Sequence, residues 1–340
     1  MPSKVKWGVL SAANIATRQV IPAMQQCEWA EITAIASRSI EKAKNVAAQF
    51  SIPKAYGSYE ELLADREIEA IYNPLPNHMH VEWSLRAANH IKHVLCEKPI
   101  SRNAAEARRL LEARDEYGVK IGEAFMVRTH PQWLRTRELV RAGRIGKLRS
   151  ACGFFSYFNT DPADTRNIAD YYGGALMDIG CYPVKTSRFV FGDEPERVFA
   201  CIERDPSFKT DRLTSAILEF PTGQGIFTCS TQLVNYQNMQ FFGTEGRIHV
   251  EIPFNAPSDR PARIFIDDGK GFYSGGSAIT ESFPVCNQYT IQGDLFSQAI
   301  RENKEVPNPL EDAICNMAVI DALFRSAQSG RWEIPEPLVV

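Results

Sequence analysis

The stretch Val5-Lys6-Trp7-Gly8-Val9-Leu10-Ser11-Ala12-Ala13-Asn14-Ile15-Ala16 is an apolar run that ends in small residues and passes straight into a helical pattern reaching Cys27. A short buried strand followed at once by a helix is the opening unit of a parallel sheet, because parallel neighbours need a crossover to return the chain. The alternation continues. Runs at Val5 to Leu10, Glu31 to Ala36, Lys54 to Tyr56, Ala70 to Asn73, His93 to Cys96 and Lys120 to Glu123 predict strands with helices between them. Ser58 and Glu61 predict a capping box, and Ala104, Ala107, Leu110 and Leu111 give the segment Asn103 to Tyr117 an apolar face.

After about residue 124 the pattern changes to long β-like runs: Leu148 to Phe158, Arg197 to Glu203, Arg212 to Phe220, Gly225 to Leu233, Met239 to Phe242, Arg247 to Ile252 and Ala262 to Ile266. Pro221-Thr222-Gly223 and Thr244-Glu245-Gly246 punctuate them as turns. Helical patterns at Tyr289 to Glu302 and Leu310 to Ser326 close the chain. The expected fold class is α/β, with residues 1–124 as a domain of parallel βαβ construction and 125–340 as a second domain. That second α/β domain is expected to carry a large, mainly antiparallel open sheet.

In a dinucleotide-binding unit the first strand-to-helix turn carries glycines that admit the pyrophosphate. Here Ser11, Ala13 and Ala16 occupy those positions. They are small enough for the amides around Ser11, Ala13, Asn14 and Ile15 to face a phosphate; an ordinary strand-to-helix turn is the alternative. The second strand ends in Ser37-Arg38-Ser39, where NAD enzymes place an acid for the ribose. A guanidinium flanked by hydroxyls suits a 2′-phosphate, so NADP is expected ahead of NAD, although Arg38 also reads as a solvated residue before a helix capped by Ser39. A third strand end, Tyr72-Asn73-Pro74-Leu75-Pro76-Asn77-His78-Met79-His80, offers Leu75, Asn77 and His80 to the cofactor. Asn77 also reads as a helix cap, and the two histidines as capping or exposed residues, since no carboxylate or cysteine cluster beside them suggests a metal.

Glu97-Lys98-Pro99 ends the fifth run. A lysine at the carboxyl end of a parallel strand sits in the crevice where open α/β sheets bind ligands; two solvated charges at a surface strand end are the alternative. In the second half, Gly173-Gly174-Ala175-Leu176-Met177-Asp178-Ile179-Gly180-Cys181-Tyr182-Pro183 places a carboxylate and a phenol four residues apart. On a helix they share a face, while the glycines admit a close neighbour. Lys98, Asp178 and Tyr182 are the candidate proton-transfer set, against a Tyr182 packed in the core with its hydroxyl on Asp178. Arg166 and Asp170, in a polar loop, are further candidates for substrate contact.

Composition narrows the field. The 340 residues, 44% of them apolar, exceed one typical domain of about 100–200 residues and supply two cores. A net charge of -3 without a basic run gives nucleic acid nothing to hold. No apolar stretch approaches the roughly 20 residues of a membrane span, and Met1-Pro2-Ser3-Lys4 leads into the first strand without a signal-peptide core, so a cytoplasmic location is expected. The cysteines at 27, 96, 152, 181, 201, 229, 286 and 315 include no C-x-x-C pair and are expected to be buried free thiols, with no metal bound.

Taken together these motifs resemble the Gfo/Idh/MocA oxidoreductases over nearly the whole chain. The likeness runs through the first turn, the Pro74 to His80 loop, Glu97-Lys98-Pro99, Glu123-Ala124-Phe125-Met126 with Arg128 and His130-Pro131, Gly-Gly-x-Leu-x-Asp-x-Gly, Phe242-Gly243-Thr244-Glu245-Gly246 and Asn287-Gln288-Tyr289. Tyr182, where many members have histidine, places the chain nearer the glucose-fructose oxidoreductase, NADP xylose dehydrogenase and dimeric dihydrodiol dehydrogenase branch. The resemblance implies that Lys98 contacts cofactor and substrate, that its bond to Pro99 is cis, that Asp178 orients the substrate and that Tyr182 is the acid/base. It also implies that residues 1–124 are a Rossmann NADP-binding domain and 125–340 a substrate-binding and oligomerisation domain, with a homodimer or homotetramer formed through the C-terminal sheet. The expected activity is hydride transfer between NADP and a hydroxyl-bearing carbon of a sugar or cyclic polyol. Sugar-sugar exchange on a tightly held NADP(H), or a non-catalytic nucleotide sensor of the same fold, are the alternatives. Lys98, Arg166, Asp178 and Tyr182 form the expected substrate contacts; Ser11, Ala13, Asn14, Ile15, Ser37, Arg38, Leu75, Asn77, His80, Glu97 and Lys98 form those to the cofactor.

Overall fold

The computed structural model describes residues 3–270 and 278–338. Its contacts divide the chain into two units, Met1–Met126 with Asn287–Ile314, and Val127–Cys286 with Cys315–Val340.

In the first unit the strands β1 (Val5–Leu10), β2 (Ala30–Ala36), β3 (Lys54–Tyr56), β4 (Ala70–Asn73), β5 (His93–Glu97) and β6 (Ile121–Ala124) form one parallel sheet. Their order is β3-β2-β1-β4-β5-β6. This is the doubly wound arrangement, with the topological switch between β1 and β4. Every strand points the same way, so every strand end lies along one edge of the sheet. Caps start the crossover helices where the sequence places them. Ser39 Oγ accepts from Lys42 N at 3.3 Å, and Asn103 Oδ1 accepts from Glu106 N at 2.8 Å. Ser58 Oγ accepts from Glu61 N, but the Glu61 carboxylate returns to Gly57 N and not to Ser58, so the capping box is displaced by one residue.

The segment Asn287–Ile314, assigned by its position in the sequence to the second domain, packs with the first unit. The physical reason is Trp7. Its ring is fully buried with Phe296 at 5.6 Å, and its Nε1 donates to Ser297 Oγ at 3.0 Å, so the helix Gln288–Arg301 completes the core over β1. An indole buried in an apolar core needs such a partner for its N–H.

The second unit holds β7 (Leu148–Phe158), β8 (Arg197–Arg204), β9 (Asp211–Phe220), β10 (Gly223–Ser230), β11 (Gln232–Gly243), β12 (Arg247–Val250), β13 (Ala262–Asp267) and β14 (Ile279–Phe283). They join in the order β14-β13-β12-β11-β7-β10-β9-β8, antiparallel except for β7 beside β10. Two expected boundaries move. The runs around Leu233 and Met239 are one strand, β11, carried through by a register shift between Gln232 and Tyr236. Strand β12 stops at Val250 because the next carbonyls are taken from outside the sheet: Gln132 Nε2 donates to Ile252 O and Trp133 Nε1 to Pro253 O at 2.7 Å. That turn seats Phe254 against Trp133 and Phe155.

The eight cysteines are free thiols, but only Cys27, Cys96, Cys181 and Cys229 are buried; Cys201, beside buried Ala200 at an outward-facing position of β8, is exposed. Among the described residues no helix is long and apolar enough to cross a membrane.

Candidate functional site

The carboxyl edge of the first sheet gathers the nucleotide candidates. Ser11 N donates to Ala36 O at 2.8 Å and Ser37 N to Tyr56 O at 3.1 Å, so the ends of β1, β2 and β3 are tied in sequence. Ser11 has φ of 87°, the left-handed half of the map that glycine adopts freely and other residues seldom do. The turn thus has the shape of a glycine turn without the glycine. Ala13 is half-buried, Asn14 is exposed and Ile15 half-buried at the start of the following helix. Ser37 is buried, with its Oγ accepting from Ser39 N at 3.4 Å, and Arg38 is exposed beyond it.

Beyond β4, Asn73 organises the loop. Its Nδ2 donates to His80 O at 3.0 Å and Ser84 Oγ at 3.2 Å, and its Oδ1 accepts from Leu75 N at 3.3 Å. Sequence reasoning passed over Asn73; its signal was a polar residue closing an apolar strand. Two expectations change here. Asn77 lies inside the short turn Asn77–Met79, whose cap is Pro76, so it is not the helix cap. His80 is not at the surface but 1% exposed, because both ring nitrogens face main-chain carbonyls.

Beyond β5, the Lys98-Pro99 bond is cis, as the resemblance implies. Glu97 Oε1 accepts from Tyr72 Oη at 2.6 Å and Oε2 from Lys98 N at 3.2 Å. Burial pushes the Glu97 carboxyl up, opposed by these two bonds and by the Lys98 charge. Glu97 therefore holds the backbone from which Lys98 projects. Tyr289 joins this group: burial and then the Glu97 carboxylate push its hydroxyl up, and Lys98 opposes them. Tyr289 has a place in the sequence likeness but no role there, because its distance in sequence hid its meeting with Glu97. The buried Glu123 completes the support, its Oε1 accepting from Ile100 N at 3.0 Å.

The second unit carries the remaining candidates. Asp178 lies in a wide π-helical turn, Leu176–Gly180, that runs into the helix Cys181–Phe191. Its Oδ2 accepts from Tyr157 Oη at 2.7 Å and from Arg166 Nε at 2.9 Å. Arg166 also pairs with Asp164, while Asp170 is exposed. Burial and then the Asp178 carboxylate push the Tyr157 hydroxyl up, so it stays a donor. Tyr157 escaped sequence reasoning, although strand alternation puts it on the same face of β7 as buried Phe155. Tyr182 is 4% exposed, with its ring 5.5 Å from Phe155 and 5.3 Å from Phe254.

Both glycines before the helix meet close neighbours, as expected. A Cβ on Gly173 would lie 2.3 Å from Arg166 O, and Gly174 N donates to that same carbonyl. Gly174 has φ of 113°, and a Cβ there would lie 2.0 Å from Asp211 Oδ1. Having no side chain, Gly174 cannot cap the helix that starts at Ala175. Asp211 does so from β9, its Oδ2 accepting from Leu176 N at 2.6 Å and from Thr214 Oγ1 at 3.1 Å. Burial pushes this carboxyl up to about 6. Lys98 is carried by the first unit, and Asp178, Tyr182 and Arg166 by the second.

Comparison with known proteins agrees with the fold of both units. Residues 5–125 match the oxidoreductase family with an NAD-binding Rossmann fold, and residues 133–249 match the C-terminal domain of the GFO/IDH/MocA group. An uncharacterized oxidoreductase of Rhizobium meliloti is 46% identical over 97% of this chain and 98% of its own length. A D-xylose 1-dehydrogenase (NADP(+)) of Haloferax volcanii is 35% identical over 95% and 98%. Among solved structures, a 3-ketoreductase from Actinomadura kijaniata in complex with NADP and TDP-benzene superposes with a TM-score of 0.89 at 29% identity, covering 95% of this chain and 98% of that one.

Proposed function

We propose that this chain, which belongs to the Gfo/Idh/MocA oxidoreductase family, transfers hydride between NADP and a hydroxyl-bearing carbon of a sugar or cyclic polyol. The observation that carries this reading is the single sheet edge at which the first turn, Ser37-Arg38, the Leu75 loop and Lys98 follow parallel strands. The relatives named for NADP and for a sugar substrate support it.

The residues fit the cofactor. The glycine-like φ of Ser11 opens the first turn to a diphosphate, which the amides of Ala13, Asn14 and Ile15 would face. Arg38, with Ser37, would hold the 2′-phosphate, and Leu75 and Asn77 would border the ribose side, backed by His80. Glu97 would fix the lysine segment alongside. When bound, the nicotinamide supplies the hydride acceptor or donor.

The chemistry left to the protein is the proton. In the oxidising direction Tyr182 takes the hydroxyl proton at its phenolic oxygen as the carbon gives up hydride; in reduction it returns that proton. Lys98 polarises the carbonyl oxygen. Asp178, held by Tyr157 and Arg166, accepts hydrogen bonds from substrate hydroxyls. Residues 1–124 serve the cofactor and 125–340 the substrate, with Asn287–Ile314 supporting the former. Exposed Ile226, Val234 and Tyr236 on the large sheet support assembly into a homodimer or homotetramer, and the location proposed is the cytoplasm.

The test is a cofactor-reduction screen over aldoses, inositols and dihydrodiols with NADP and NAD in parallel, followed by Lys98→Ala and Tyr182→Phe. Turnover should fall about 10²- to 10⁴-fold in each while NADP still binds. Undiminished turnover in either variant overturns its assignment.

A further inference from the structure

His80 touches two of the segments that follow the first sheet. Its Nε2 lies 2.6 Å from Leu75 O and its Nδ1 2.8 Å from Pro99 O. Leu75 belongs to the loop after β4, and Pro99 follows Lys98 after β5. The ladder between these strands ends at the pair Asn73 and Cys96, so past that point it no longer fixes one segment to the other. The imidazole spans that gap. Its own backbone is anchored, since Asn73 Nδ2 donates to His80 O.

Both contacts are with carbonyl oxygens, which only accept. An imidazolium has two N–H donors and a neutral ring one. Burial holds this imidazole down to about 4, and the neighbouring Lys98 and His78 push the same way against the two carbonyl contacts. At neutral pH the ring is therefore neutral: one nitrogen donates to its carbonyl while the other lies against the second, so the ring spans both segments in either tautomer.

We infer that His80 is a positioning residue that clasps the Leu75 loop to the Lys98-Pro99 segment, so that the nucleotide-facing loop and the lysine take up their places together. This rests on the roles proposed above for Leu75 and Lys98.

Three variants of the full chain test it. His80→Phe keeps a ring without N–H donors; His80→Asn places an amide near the Nδ1 position, toward Pro99, and His80→Gln near Nε2, toward Leu75. NADP dissociation constants, kcat on the best sugar of the screen and thermal midpoints are measured for each. The Phe variant should weaken NADP binding and lower kcat, each about tenfold, the loss of roughly one buried hydrogen bond. Asn should recover the larger share of kcat and Gln the larger share of NADP affinity. Equal recovery by both, or a Phe variant altered only in thermal midpoint, overturns the clasp. If the Phe variant does not fold, the Asn and Gln comparison decides. Lys98→Ala in parallel separates the two readings. An active Lys98→Ala protein defeats the proposed chemistry, whereas an inactive one beside indistinguishable Asn and Gln variants defeats only the clasp.

Discussion

Replacing Asp211 by asparagine tests the cap beneath the second-unit candidates. The wild-type carboxyl is 1% exposed and receives the Leu176 amide and the Thr214 hydroxyl; the facing charge that favours its ionised form is Arg204. Burial outweighs these, holding the group at about 6 where an unburied aspartate has 3.8. The folded protein therefore keeps this proton to higher pH than the unfolded chain does. Stability from this group is fully present below 3.8 and is lost as pH rises through about 6, a change of about 3 kcal/mol at 1.36 kcal/mol per tenfold. The amide of the Asp211→Asn protein would keep an acceptor for Leu176 N and remove the titration. Carboxylates held low elsewhere, such as Asp65, which Lys54 holds at about 2 against the opposing effect of burial, weaken both proteins in acid and cancel in the difference. Urea denaturation from pH 4 to pH 7.5 should show Asp211→Asn gaining on wild type by about 2.5 kcal/mol across that range, most of the full change. A difference that stays constant with pH refutes the buried, ionised cap.

Further outcomes follow from the same contacts. Gly173→Ala puts a methyl 2.3 Å from Arg166 O and should cost about 2 kcal/mol or more in urea denaturation, with a higher KM as Arg166 leaves Asp178. Tyr157→Phe deletes one bond to Asp178, about 1 kcal/mol, so KM for the sugar should rise about fivefold with a smaller change in kcat; an unchanged KM removes Asp178 from substrate binding. Arg38→Ala should narrow the preference for NADP over NAD by about 10- to 100-fold, read from the two kcat/KM values, since a charge-assisted bond to phosphate carries about 1.5–3 kcal/mol.

What was legible in the sequence was what local chemistry decides. Strand β7 falls where its apolar run predicts, and Ser39 and Ser58 cap the helices they precede. Parallel order follows because each early strand is trailed by a helix. Partners chosen by tertiary packing were not legible. Trp7 takes Ser297 from 290 positions away, and Leu176 takes its cap from Asp211, since Gly174 offers none. Tyr157 was hidden for the same reason: a strand tyrosine announces its face but not which carboxylate it meets.

The helical spacing rule that singled out Asp178 and Tyr182 assumes an α-helix, and the interval between them is not wholly one. Four residues along an α-helix overshoot a full turn, so i and i+4 share a face. Here the interval begins in a π-turn, which holds more residues per turn, and four residues then fall short of the turn instead of passing it. The wide turn ends two residues short of Pro183, whose ring would crowd the carbonyl of Ile179, four residues back, in an unbroken α-helix. The same sequence of events occurs in the first unit, where the π-turn Ala16–Val20 precedes Pro22. In each unit a proline thus loosens the helix at its candidate end, and small residues just upstream, Ser11 with Ala13 in one and Gly173 with Gly174 in the other, let the chain enter that loosened turn. Proline and small-residue pairs at this spacing are therefore the feature that sets where these helices present their first residues, and side-chain spacing alone does not fix it.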